Sequence, residues 1–223
     1  PGHHLNAEAK DSVRIGMGLV ATMSALILGL LVASTKEVYD TERNNVTQMA
    51  AKVIHLDRAL ANYGPAAQPA RAVLREAVEA ALTRIWADHE ASQSQVEPSL
   101  AWTEGLPTAI QKLAPQTEAE RALKAQATQF ASDVGQMRWL LFEEMETSIS
   151  VPLLVVVIVW LTIIYLSIGL FAPANATVII SLLLAALAAA GAIFLILELD
   201  QPFSGVMTIS AEPLRNALQH LGR

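Results

Sequence analysis

Carboxylates crowd the ends of three apolar runs in this sequence. Glu37, Asp40 and Glu42 follow the first run, Glu143, Glu144 and Glu146 precede the second, and Glu198 and Asp200 follow the third. Acidic side chains at the mouth of a membrane helix raise the local cation concentration. Repeated around a symmetric oligomer, they form rings that favour cations over anions. The same residues also suit a plain solvated face beside the bilayer. Within the first run, Gly18, Ala21, Ala25, Gly29 and Ala33 recur at spacings of three and four with Thr22 beside them, so the smallest side chains share one helix stripe. Such a stripe admits a close helix neighbour or lines a pore.

Other chemistry lacks its residues. There is no Gly-rich phosphate loop, no His-Glu-x-x-His helix, no Gly-x-Ser-x-Gly elbow and no cysteine. Five scattered histidines do not assemble a site, and the adjacent His3-His4 falls short of the three or four ligands a metal ion wants. No catalytic residue, metal site or cofactor is therefore expected, and an enzyme is the least favoured class. The three apolar runs also lack Lys, Arg, Asp, Glu and His, which argues against proton-coupled transport through buried titratable groups. Net charge is −6, with most of the acidic excess between the first two runs, so no nucleic-acid footprint is expected.

The elements that would position these residues are helices. Hydrophobic residues make up 53% of the 223 positions, and the excess sits in Ile15–Ala33, Val151–Ala172 and Thr177–Leu197, each close to the roughly 20 residues a membrane span needs. The chain is expected to be an all-α integral membrane protein, with the lipid bilayer as its first partner. Residues 1–14 read as a polar segment, 15–33 as a span, 34–150 as a helical bundle outside the membrane, 151–172 and 177–197 as a second and third span, and 198–223 as a tail.

The bundle is expected to be built from extensions of the membrane helices. The helical pattern of the first span runs on through Lys36–Tyr63 until Gly64-Pro65 stops it. Val46, Met49, Val53, Leu56, Leu60 and Tyr63 form a seam, and Tyr39 and Glu42 continue it toward the bilayer. His55 and Asp57 flank the seam and read as surface residues. A second helix follows Pro69 through Leu74, Val78, Leu82 and Ile85 toward His89, and a short one spans Leu106–Leu113. Thr117-Glu118-Ala119-Glu120 fits a capping box and opens a helix that should run into the second span. Pro173-Ala174-Asn175-Ala176 leaves room only for a tight hairpin, so the last two spans are antiparallel and the tail lies on the side of the bundle.

Directly after the third span, Glu198-Leu199-Asp200-Gln201-Pro202-Phe203-Ser204-Gly205 leads to Ala211-Glu212-Pro213-Leu214-Arg215. With Leu56-Asp57-Arg58, Tyr63-Gly64-Pro65 and the approach Lys10-Asp11-Ser12-Val13, this pattern resembles the bestrophin-like family of bacterial membrane proteins. The resemblance implies a fourth membrane helix ahead of Pro1, both termini on the bundle side, and a homo-oligomer, pentameric by analogy, around a central pore for inorganic ions. It also implies the inner membrane with a cytoplasmic bundle. The Arg-Gly-Ser-type pore signature is missing, so no pore residue carries over, and Ser204 separates Phe203 from Gly205, which argues against a calcium clasp at the turn. Physically, Pro202 should break the helix, Gly205 can take a positive φ and Phe203 can plug into the bundle base, which would make the turn a latch or, alternatively, an ion sensor. Two functions fit the whole: a channel weakly biased to cations, or a sensor or scaffold whose bundle binds a ligand or partner.

Overall fold

The computed structural model describes residues 7–86, 105–146, 151–171 and 175–222. Its helices are α1 (Ala7–Tyr63), α2 (Gln68–Trp86), α3 (Leu106–Gln111), α4 (Glu118–Glu146), α5 (Val151–Phe171), α6 (Ala176–Leu199) and α7 (Glu212–His220), with a 3-10 turn at Pro65–Ala67. No strand occurs among the described residues. The chain divides into two compact units, Pro1–Tyr39 with Ser148–Asp200, and Asp40–Thr147 with Gln201–Arg223.

The first unit holds the apolar runs. Three helices are long and apolar enough to cross a membrane, over Arg14–Tyr63, Val151–Leu170 and Ala176–Leu199. Pro152 sits in the first turn of α5, where a missing N–H is harmless. Asn175 caps α6, its side-chain oxygen accepting from the Thr177 N–H at 3.4 Å. Leu31 of α1, Val157 of α5 and Ile196 of α6 meet in one buried cluster, flanked by Ile27, Leu28, Val32, Leu153 and Leu161. Leu19, Leu26, Leu30, Leu166, Leu183 and Leu187 point outward, the surface expected of helices solvated by lipid. The polar segment expected through Arg14 is instead helical from Ala7, because nothing between Ala7 and Arg14 breaks the pattern. With 57 residues, α1 rises about 85 Å, well beyond the roughly 30 Å of a bilayer core.

The second unit is a bundle built around the seam of α1. Val46, Val53, Leu56 and Leu60 are completely buried, and Met49 and Tyr63 nearly so. Gly64 ends the helix at φ 106, a left-handed conformation that costs a side-chain-free residue little. Leu74 and Val78 of α2 and Ala127 and Val134 of α4 complete the core. The capping box forms: Thr117 Oγ1 accepts from the Glu120 N–H at 3.1 Å, while Glu120 Oε2 accepts from the Thr117 and Gln116 N–H groups. The expected continuation of α4 into the second span falls on residues 147–150, outside the described residues. So do residues 172–174 of the hairpin and the end of the second helix beyond Trp86.

Asp57 departs from the sequence expectation, and Glu42 follows its place in the seam rather than its place among the acidic exits. Asp57 is buried, not on the surface: Arg71 of α2 grips it with Nε on Oδ1 at 2.7 Å and Nη2 on Oδ2 at 2.9 Å. Charge pairing on a second helix repays its burial, and the guanidinium is held above its usual range by that hydrogen bond. Glu42, grouped above with the acidic exits, is 1% exposed, so helical period rather than charge decides where it lies.

Lys52 of α1 bridges to Asp133 of α4 at 2.5 Å, and Gln129 donates to the other carboxylate oxygen at 2.8 Å. These bonds, Lys52 first and Gln129 second, hold the Asp133 carboxyl below the usual carboxylate range. A depressed folded pKa contributes stability above the unfolded value and loses it as pH falls through the folded one. Lys52→Met is therefore expected to shrink the loss of thermal stability between neutral and acidic pH, read from melting curves at several pH values. A parallel pH dependence in both proteins would remove this pair from the account.

Candidate functional site

The small-residue stripe of α1 lies on the side of the helix that the chain leaves open. Gly18, Thr22, Ala25, Gly29 and Ala33 are exposed and Ala21 is half-buried. An added side-chain carbon at Gly18 or Gly29 would meet nothing within 4 Å. The packed side carries Ser24, Leu31 and Thr35, all buried. At about 100° per residue the two faces are centred roughly 140° apart. Ser24 therefore sits in the packed face, and its hydroxyl donates to the Val20 carbonyl at 2.8 Å. Thr22 donates to the Gly18 carbonyl at 2.9 Å and keeps its oxygen lone pairs on the open side. The stripe is thus a smooth, weakly polar strip of surface, with no partner helix of its own chain across it among the described residues.

The acidic residues fall in both units. In the first, Glu37 is exposed, and Glu198 and Asp200 are half-buried at the C-terminal end of α6, where the Asp200 N–H donates to the Ile196 carbonyl at 3.1 Å. In the second, Asp40 is half-buried, Glu42 is buried, and Glu143, Glu144 and Glu146 occupy the last turns of α4, with side chains outside the described residues. Among the described residues no three of His, Cys, Asp or Glu are arranged to hold a metal ion.

The tail turn makes specific contacts in the bundle unit. Pro202 is buried and its carbonyl accepts the Ile209 N–H at 2.7 Å, closing a loop in which Gly205 takes φ 91. The Phe203 ring meets Trp86 edge-on at 5.7 Å, and the Trp86 indole N–H donates to the Ile209 carbonyl at 2.7 Å. Ser204 turns back on Gln201 through both its N–H and its hydroxyl. Sequence reasoning named Pro202, Phe203 and Gly205 but missed Trp86 as their platform, and it missed α7. The signal for α7 was present: Pro213 in a first turn, then Leu214, Ala217 and Leu221 at spacings of three and four.

Comparison with known proteins gives two matches. A family profile described as Bestrophin-like domain matches residues 1–214. Among solved structures, a bacterial bestrophin homologue from Klebsiella pneumoniae, crystallised as a point variant, matches with a TM-score of 0.68 at 14% identity, over 94% of this chain and 88% of that one. No curated protein matches the chain in sequence.

Proposed function

This chain belongs to the bestrophin-like family, and on that footing we propose that it works as a channel-like permeation protein in a membrane, assembled from several copies with the open stripe of α1 facing the ion path. The observation that carries the reading is the position of Gly18, Thr22, Ala25, Gly29 and Ala33 opposite the face that packs on α5 and α6. A surface with only small side chains and one hydroxyl leaves room for a hydrated ion, whereas lipid-facing surface is rich in large side chains such as Leu26 and Leu30.

Cations are the favoured permeant ions. Glu198 and Asp200 lie at the negative end of the α6 dipole, where helix and carboxylates attract the same sign of charge. Glu37, Asp40, Glu143 and Glu144 extend that bias. Family resemblance further supports a pentamer, the inner membrane and a cytoplasmic bundle. Purified protein in liposomes under opposed salt gradients should pass current reversing toward the cation potential. Neutralising Glu37, Asp40, Glu143 and Glu144 to their amides should move the reversal toward zero. Unchanged selectivity in that variant would count against the acidic residues as the cause. Silence in vesicles where a control channel conducts would favour the sensor or scaffold, for which the groove lined by Ala70, Val73, Glu76, Thr108 and Lys112 between α2 and α3 is the first place to look for a ligand.

A further inference from the structure

Two anchors hold the tail in the bundle unit, one on Trp86 at the C-terminal end of α2 and one on Asp57 of α1, which Arg71 near the N-terminal end of α2 grips. At the C-terminal end, Trp86 donates to the Ile209 carbonyl and takes the Phe203 ring edge-on. Near the N-terminal end, the Asp57 carboxylate that Arg71 grips with two hydrogen bonds also accepts the Gly222 N–H on Oδ2 at 3.4 Å. Between the anchors, Leu214 and Ala217 of α7 are buried, as are Ile209, Ala211 and Leu221 on either side of it. With nine residues, α7 is too short to persist as an isolated helix, so it stays folded because it is docked.

The geometry points to Gln201–Gly222 being a two-point strap that docks and undocks as one unit, with Trp86 closing its near end and Asp57 positioned to close its far end. A short terminal segment whose helix exists only when docked has the properties of a local folding unit that opens below the free energy of global unfolding. Its near end follows Asp200 directly, so the strap is also the covalent continuation of the third membrane helix into the bundle unit. Undocking would release that continuation from the rest of the bundle unit as some twenty flexible residues. This holds whether or not the protein conducts ions.

Amide hydrogen exchange on the full chain in lipid nanodiscs tests it, comparing the parent with Trp86→Phe, Asp57→Asn and the pair. Trp86→Phe leaves the Asp57 site untouched, yet it should raise exchange by about tenfold or more across Glu212–Gly222 as well as across residues 202–209, while Val53–Leu60 of α1 keeps its protection. Asp57→Asn should do the same from the other end, and the double variant should add little once the strap is free. Loosening confined to the end that was altered, or effects that simply add, would overturn the two-point unit. So would unchanged exchange. If Asp57→Asn instead unfolds the bundle, Trp86→Phe alone still decides the matter through its effect at the distant Glu212–Gly222 end.

Discussion

Asp57→Ala is expected to destabilise the bundle unit by about 3–5 kcal/mol, the usual cost of stranding one partner of a buried ion pair. Both side chains are almost completely buried, at 8% exposure for Asp57 and 10% for Arg71. Solvent screening, which reduces surface pairs to a fraction of a kcal/mol, therefore has little access. The two partners are not equivalent. An orphaned carboxylate escapes burial by taking up a proton, whereas a guanidinium remains charged at any pH the protein survives. Asp57→Ala should therefore cost more than Arg71→Met, which also keeps an apolar stem in place. The double variant Asp57→Leu with Arg71→Met should recover much of the loss, since an apolar pair of similar volume can replace a buried ion pair at little net cost. Thermal melts of the four proteins in one detergent check the ordering. A loss under about 1 kcal/mol for Asp57→Ala would mean that the pair behaves as surface charge despite its burial.

What the sequence revealed about this fold follows the range over which each signal acts. The seam Val46–Tyr63, the Gly64 stop and the Thr117–Glu120 capping box are local patterns, with every participant within one or two helical turns of the next. Glu42 carried two patterns at once, a charge run with Glu37 and Asp40 and a place in the seam, and burial followed the seam. A helix already committed to packing one face sets the direction of every side chain on it. Asp57 was harder, because its partner is on another helix and Arg71 looks like any other solvated arginine in the sequence. The Trp86–Ile209 bond joins residues 123 positions apart and leaves no periodic trace. The stripe of α1 was legible as a stripe, but its side was not, since spacing fixes which residues share a face and only the packing of Leu31 on Val157 and Ile196 fixes where that face points.

That direction gives the second large effect. Gly29→Phe is expected to leave the chain folded and membrane-inserted while lowering ion flux in liposomes by about tenfold or more, since a pore narrowed by an aromatic ring hinders a hydrated ion sterically and by dewetting. The argument turns on where the cost falls. Among the described residues nothing beyond the helix's own backbone lies within 4 Å of a side-chain carbon added at Gly29, so the first atom of the Phe side chain meets no neighbour inside the protomer. Whatever lies across the stripe in the assembly must absorb the ring. Leu31→Ala is the matched control on the opposite face: it empties part of the cluster with Val157 and Ile196 and should cost about 2–5 kcal/mol of stability while leaving the open stripe unchanged. Lost flux with an intact oligomer would put the ion path against the stripe. Lost oligomer would make the stripe a contact between copies. Full flux with a full oligomer would mean that the stripe faces lipid, and the ion path would then have to be sought on another surface of the membrane unit.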